Sequence, residues 1–108
     1  MTIYEAPLDD INFVLERFCR LNDITALPHF ASVDVSMVGE MLSEAARFFE
    51  DQFAPLNSVG DKVGSHRNAD GSVTTPPGFK EAYQAYVEAG WGAVGFDPGL
   101  GGGGFPWV

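Results

Sequence analysis

The chain has 108 residues, of which 45% are hydrophobic, and a formal net charge of −9. This length and apolar content predict one globular domain rather than a disordered segment. The negative charge argues against nucleic acid and anionic lipid as partners, because both would repel the chain.

The start of the chain and its single cysteine bear on the cellular setting. The first five residues lack the basic start and the apolar segment of a signal peptide. No apolar run approaches the roughly 20 residues that cross a bilayer. Cys19 stands alone, so the sequence offers no internal disulfide and no thiolate metal cluster. We therefore predict a cytoplasmic protein without a membrane span.

A first helix is predicted from about Asp9 to Leu21, after Pro7. Asp9 and Asp10 suit the positive end of the helix dipole. One apolar stripe follows helical spacing: Ile11, Val14, Leu15, Phe18 and Leu21. Residues 24–33 then predict a connecting segment that carries apolar side chains back onto the core.

The second helix has the strongest pattern, from about Val35 to Phe53, with Asp34 or Ser36 as its N-cap. Two apolar stripes lie side by side on it. They comprise Val35, Val38, Leu42, Ala45, Phe49 and Phe53, and then Met37, Met41 and Phe48. So wide an apolar face predicts packing against more than one neighbour. Pro55 predicts a kink or the end of this helix.

Residues 57–74 are rich in turn formers and predict a surface loop, or a short hairpin around Asp70 and Gly71. No regular helix or strand pattern runs through this stretch, so it separates the second predicted helix from the third.

A third helix is predicted between Thr75 as its N-cap and Gly90 just past its end, with Pro76 in its first position. The glycine-broken apolar run at residues 91–96 predicts a buried connector rather than a strand. Three or four helices without a clear strand predict an all-α fold, a small helical bundle.

Residues 99–104 formally match the G-x-G-x-x-G pattern of dinucleotide-binding turns. That pattern binds a phosphate only where a strand passes into a helix, and Pro106 follows here almost at once. No Lys-Ser/Thr pair of a P-loop follows either. The sequence therefore favours a flexible structural turn over a nucleotide site.

Other residue types of catalytic and metal sites occur without the spacing that such sites need. Ser65, His66 and Asp70 include the groups of a hydrolytic triad, but neighbours in one loop seldom hold triad geometry. His29, beside Pro28, favours a packed or capping imidazole. Two histidines without a spaced partner do not indicate a metal site.

The second predicted helix carries four carboxylates: Glu40, Glu44, Glu50 and Asp51. They lie mostly off the apolar stripe and predict a solvated surface rather than an acid/base pair. Cys19 favours a small buried hydrophobe over a nucleophile, because only Arg20 is placed to activate it. The residues alone therefore predict no catalytic, cofactor-binding or metal-binding residue.

Three motifs in their order resemble the N-terminal helical domain of acyl-CoA dehydrogenases. They are Gly-Phe-Lys-Glu-Ala-Tyr at residues 78–83, Glu-Ala-Gly-Trp-Gly at 88–92 and Pro-Gly-Leu-Gly-Gly-Gly-Gly-Phe-Pro at 98–106. In that family a helix ends on Glu-x-Gly-Trp, and a later glycine turn starts the next helix. Gly99 stands where the family usually has an acidic residue. Residues 4–15 resemble the opening of a larger subgroup that carries an N-terminal extension.

The resemblance implies that residues 34–108 form the domain proper and residues 1–33 an extension helix and connector. It also implies a parent enzyme that removes the α-proton of an acyl-CoA thioester with a glutamate base and passes the β-hydride to FAD. In the family, the flavin domain and the domain with the base follow this region. The resemblance therefore places no catalytic or flavin residue on this chain, which is expected to be truncated after the apolar residues 105–108.

The implied role of the chain is to pack on the missing middle and C-terminal domains and to help wall the acyl pocket. By itself the chain is expected to be inactive, to bind no FAD and to self-associate through exposed aromatic rings. The alternative is a stand-alone acidic helical module whose aromatic face binds a partner helix or its own copy.

Overall fold

The computed structural model describes residues 3–108, and this part of the chain is mostly helical. Its elements are α1 (Leu8–Phe13), α2 (Leu21–Thr25), α3 (Val35–Gln52), α4 (Leu56–Val63), β1 (His66–Arg67), β2 (Val73–Thr74) and α5 (Phe79–Glu88). The prediction of an all-α fold is confirmed.

The first predicted helix is interrupted in the structure. α1 passes into a π-helical turn, Val14–Phe18, where the Cys19 N–H donates to the Val14 carbonyl over 2.9 Å. Arg20 then adopts a left-handed conformation (φ 56°), and α2 begins at Leu21. A stripe counted at 3.6 residues per turn loses its register across such a turn. As a result Phe18 is 84% exposed and Leu21 only 2% exposed, so the single predicted stripe is wrong.

α3 agrees closely with its prediction. The Asp34 carboxylate accepts a hydrogen bond from the Met37 N–H over 2.9 Å, which confirms Asp34 as the N-cap. The helix ends at Gln52, one residue before the predicted end, and Pro55 lies just before α4. Pro55 therefore ends α3 rather than kinking it.

The core is small and joins distant parts of the chain. Leu21, Val33 and Val38 are buried against one another, which confirms that the segment before α3 returns an apolar side chain to the core. Four half-buried side chains surround them: Leu15, Val35, Leu42 and Phe105. Phe105 thus ties the C-terminal segment to the N-terminal helices.

The predicted loop at residues 57–74 begins with a helix. α4 occupies its first part and ends at Val63, and Gly64 caps it with a φ of 68° that a side chain would disfavour. The fixed φ of Pro55 suits a helix start, and the turn residues that follow it do not prevent the helix. The hairpin alternative is confirmed, because β1 and β2 pair antiparallel with His66 opposite Thr74.

The hairpin turn is held by side chains. The carboxylate of Asp70 accepts hydrogen bonds from the Ser72 hydroxyl over 2.6 Å and from the Ser72 N–H over 3.0 Å. These two bonds favour the charged carboxylate and hold the pKa of Asp70 below its ordinary value.

α5 begins three residues later than predicted. Pro77 disfavours a helical conformation at Pro76, and Gly78 has a positive φ of 86°, so the helix starts only at Phe79. Thr75 is therefore not the N-cap. The predicted end is confirmed, since Gly90 has a φ of 77° directly after the last helical turn.

The described residues form an open shape rather than a filled globule. The radius of gyration is 17.4 Å, compared with about 13 Å for a compact chain of this length. Within residues 3–108 the buried hydrophobic side chains are Leu21, Val33, Val38, Ala46 and Ala82. Much of the apolar content of the sequence therefore lies at the surface.

Candidate functional surface

The glycine-rich segment folds back over the connector that precedes it. The N–H of Gly103 donates to the Ala93 carbonyl over 2.9 Å, and that of Gly104 to the Phe96 carbonyl over 2.9 Å. The N–H of Phe105 donates to the Val94 carbonyl over 3.1 Å. Each of these donors is used by the main chain and none is free to bind a phosphate.

Steric crowding explains why glycine is needed at Gly102. A Cβ atom there would lie 2.1 Å from the Phe96 carbonyl oxygen, far inside contact distance. The segment is preceded by the short 3₁₀ turn Pro98–Leu100 rather than by a strand. The glycines therefore allow the main chain of the turn to lie close against the residues before it. Hydrogen bonds hold this turn against residues 93–96.

Ser65, His66 and Asp70, the residue types of a hydrolytic triad, do not form a triad in the structure. Within residues 3–108 no hydrogen bond joins Ser65, His66 and Asp70, and the Asp70 carboxylate is engaged by Ser72. His29 is exposed and meets Phe30 edge-on, with ring centroids 4.8 Å apart. No group of three metal-ligating side chains gathers among the described residues.

One carboxylate of α3 has a role that the sequence did not indicate. Glu50 accepts a hydrogen bond from the Ala6 N–H over 2.7 Å and so attaches the segment before α1 to α3. Glu44 pairs with Arg47 at the surface, as a solvated helix face predicts. Sequence spacing could not reveal the Glu50 contact, because its partner is a backbone group 44 residues away.

Aromatic rings form a cluster where the end of α3 meets α5. The ring centroids of Phe49 and Phe53 lie 5.2 Å apart, and each lies 6.2 Å from the ring centroid of Tyr86. Trp91 approaches Phe48 to 5.8 Å. This cluster accounts for part of the wide apolar face of α3, which also packs on α1 and α2.

An apolar groove lies between α4 and α5. It has a volume of about 530 Å³, with Asn57, Asp61 and Ser65 as polar members of its lining. Its apolar lining comprises Phe53, Leu56, Gly60, Pro76, Phe79 and Ala82. A Cβ atom at Gly60 would lie 2.8 Å from the Phe79 ring, so glycine allows this ring to lie against α4.

A second apolar surface, the C-terminal aromatic patch, consists of Phe96, Leu100, Trp107 and Val108. The Phe96 and Trp107 rings lie 6.1 Å apart, and the Trp107 indole N–H donates to the Gly95 carbonyl over 2.7 Å. Leu100 is 87% exposed and Trp107 is 79% exposed. Phe96, Trp107 and Val108 line one hollow, and larger exposed apolar patches often occur at interaction sites.

Comparison with known proteins identifies the class to which this helical chain belongs. No family model matches it. It is 33% identical over 105 residues to a 3-methylmercaptopropionyl-CoA dehydrogenase of Ruegeria pomeroyi, an alignment covering 97% of this chain and 18% of the relative. It is 32% identical over 105 residues to the broad-specificity linear acyl-CoA dehydrogenase FadE5 of Mycobacterium tuberculosis, covering 94% and 17%.

The chain belongs to the acyl-CoA dehydrogenase family, as its motifs predicted. It spans less than a fifth of the length of either relative. These similarities do not favour the alternative of a stand-alone interaction module. None of the described helices is long and apolar enough to cross a membrane.

Proposed function

We propose that the chain is the N-terminal helical part of a FAD-dependent acyl-CoA dehydrogenase, with residues 1–33 as an extension and residues 34–108 as the domain proper. The parent, meaning the longer polypeptide, oxidises an acyl-CoA thioester between its α and β carbons. The role of this part is structural. It packs on the middle and C-terminal domains of the parent and contributes a wall of the acyl pocket.

The observation that carries the proposal is that large apolar side chains are exposed on this chain. The chain is also related to acyl-CoA dehydrogenases over nearly its whole length. An isolated domain of this size gains most of its stability by burying such surface. The open shape and the exposed C-terminal aromatic patch fit a part whose burial is completed by further domains.

The glycine turn of this chain does not fit the FAD diphosphate. In the glycine turn at residues 99–104, which has the nucleotide-like pattern, the N–H groups donate to acceptors within residues 93–98, and one of these acceptors is the Asp97 carboxylate. We therefore assign flavin binding to the rest of the parent. The groove between α4 and α5 is the surface best suited to the acyl wall, because it is concave and mostly lined by apolar side chains.

The test compares the full-length product of the gene that encodes this chain with the 108-residue chain. The full-length protein is expected to carry about one flavin per chain, seen as visible absorbance, and to lose that absorbance when an acyl-CoA is added without oxygen. The 108-residue chain is expected to bind no flavin and to self-associate in analytical ultracentrifugation. A colourless full-length protein, or stoichiometric flavin in the short chain, would refute the proposal.

A substitution in the C-terminal aromatic patch tests whether the patch is covered in the parent. Leu100→Ser is expected to change the unfolding free energy of the 108-residue chain very little, because Leu100 is 87% exposed. In the full-length protein it is expected to cost about 1.5–3 kcal/mol, the value of a buried leucine. Denaturant unfolding of both proteins measures the two effects.

The matched control is Asp51→Ser, which changes an exposed polar side chain of α3 in both proteins. It is expected to alter stability by less than about 0.5 kcal/mol in either. Equal effects of Leu100→Ser in the short and long proteins would show that this patch faces solvent in the parent as well.

A further inference from the structure

We propose that Asp70–Gly71 is a site of spontaneous aspartate isomerisation, and that Ser72 sets the rate by holding the Asp70 carboxylate. In the whole sequence this is the single place where an aspartate or asparagine precedes a glycine. Glycine has no Cβ to shield its amide nitrogen, so this pair offers the least hindered approach to a side-chain carboxyl. Asp70, Gly71 and Ser72 are all exposed, so water reaches the site.

The reaction needs no partner except water. The Gly71 nitrogen attacks the Asp70 Cγ atom, a C–N bond forms, and a carboxyl oxygen leaves as water to give a succinimide ring. Water then opens the ring at either carbonyl. One opening restores aspartate, and the other leaves isoaspartate, in which the main chain runs through the former side-chain carbonyl. One water leaves and one returns, and nothing is oxidised or reduced.

In the folded hairpin both reacting groups, the Asp70 carboxylate and the Gly71 N–H, form other hydrogen bonds. Asp70 Oδ1 accepts from the Ser72 hydroxyl over 2.6 Å and from the Ser72 N–H over 3.0 Å. The Gly71 N–H donates to the Asn68 carbonyl over 3.0 Å. Ring closure requires the carboxyl to leave Ser72 and the Gly71 nitrogen to give up its bond to Asn68.

The Ser72 hydroxyl is itself held in position. Asn68 Nδ2 donates to Ser72 Oγ over 2.9 Å and to Thr74 Oγ1 over 3.0 Å. The Asn68 main-chain N–H also donates to the Ser72 carbonyl over 2.8 Å. The hydroxyl therefore accepts from Asn68 and donates to Asp70. The same bonds lower the pKa of Asp70 and keep it ionised, and a carboxylate is a poorer electrophile than the neutral acid.

Isomerisation would have a structural consequence for the hairpin. Isoaspartate adds one carbon to the main chain inside the turn, between β1 and β2. The short ladder that places His66 opposite Thr74 and Arg67 opposite Val73 would lose its register. Ser72 thus protects the fold of the hairpin as well as the chemical identity of the turn.

The test follows isoaspartate formation during incubation in neutral buffer, using mass spectrometry with fragmentation that separates the two isomers. Ser72→Ala removes the hydroxyl bond and is expected to isomerise about tenfold faster than the wild type, the rate equivalent of one charge-assisted hydrogen bond. Ser72→Thr keeps the hydroxyl and is expected to remain within about twofold of the wild type. Ser36→Ala changes an exposed serine of α3 and is the matched control. It is expected to leave the isomerisation rate unchanged.

A synthetic peptide of residues 66–74 gives the rate of the unprotected sequence. It is expected to isomerise at least as fast as the Ser72→Ala variant. Equal rates for the wild type and the peptide would overturn the proposal, because the folded turn would then give no protection. A Ser72→Thr rate equal to that of Ser72→Ala would also overturn it. Circular dichroism of each variant at the incubation temperature separates loss of the hydrogen bond from loss of the fold.

Discussion

Leu21→Ala is expected to unfold most of the 108-residue chain at room temperature. Leu21 is 2% exposed and lies at the centre of the small core with Val33 and Val38. Truncating a buried leucine costs about 2–5 kcal/mol, because transfer energy is lost and a cavity remains. A domain with so little buried apolar surface has a small total stability, so this cost is a large share of it. Urea unfolding followed by circular dichroism measures the loss.

Leu27→Ala is the control for this substitution, since Leu27 is 52% exposed and the chemical change is the same. It is expected to cost less than about 1 kcal/mol, in line with its incomplete burial. If the two variants unfolded at the same urea concentration, Leu21 would not be the centre of the core.

Gly102→Ala is expected to detach the glycine segment from residues 93–96. The added Cβ would lie 2.1 Å from the Phe96 carbonyl oxygen, and a main-chain atom cannot yield as a flexible side chain can. Release of the segment breaks its main-chain bonds and withdraws Phe105 from the core. We expect a loss of about 3 kcal/mol, combining overpacking with broken hydrogen bonds. Denaturant unfolding measures it.

Gly39→Ala separates this steric effect from a general response to replacing glycine. A Cβ at Gly39 meets nothing within 4 Å, and the residue lies inside α3. Alanine there is expected to stabilise the chain by about 0.5–1 kcal/mol, because glycine is a poor helix former. Opposite signs for the two alanine variants support the assigned role of Gly102, whereas a neutral Gly102→Ala would show that the segment is loosely packed.

Elements with local signals were predictable from the sequence. α3 has a long apolar period and an aspartate that caps its first turn, so its start was predicted correctly. The end of α5 was predictable for a similar reason, because Gly90 tolerates the positive φ that closes a helix.

The failures concern residues whose effect depends on a neighbour. In the π-helical turn after α1 the hydrogen bond spans five residues instead of the four of an α-helix. No residue type in that stretch indicates this change. Pro76 after Thr75 predicts a helix start, yet Pro77 and Gly78 beside it delay α5 to Phe79.

The candidate surface was less predictable than the helices. The motifs indicated the family, and the unused aromatic residues indicated exposed apolar surface. The groove between α4 and α5 could not be predicted, because the turn residues of 57–74 predict a loop where α4 lies. Its shape also depends on a close approach of Phe79 to Gly60, which sequence spacing does not encode.

The position of Phe105 against Leu21, Val33 and Val38 has a consequence for the order of folding. During synthesis the N-terminal helices leave the ribosome first, but their core lacks one side chain until a residue more than eighty positions after Leu21 has been added. Closing so long a loop is entropically costly, and the glycine segment supplies the hydrogen bonds that offset this cost. The core around Leu21 is therefore expected to be completed only after Phe105 has been synthesised.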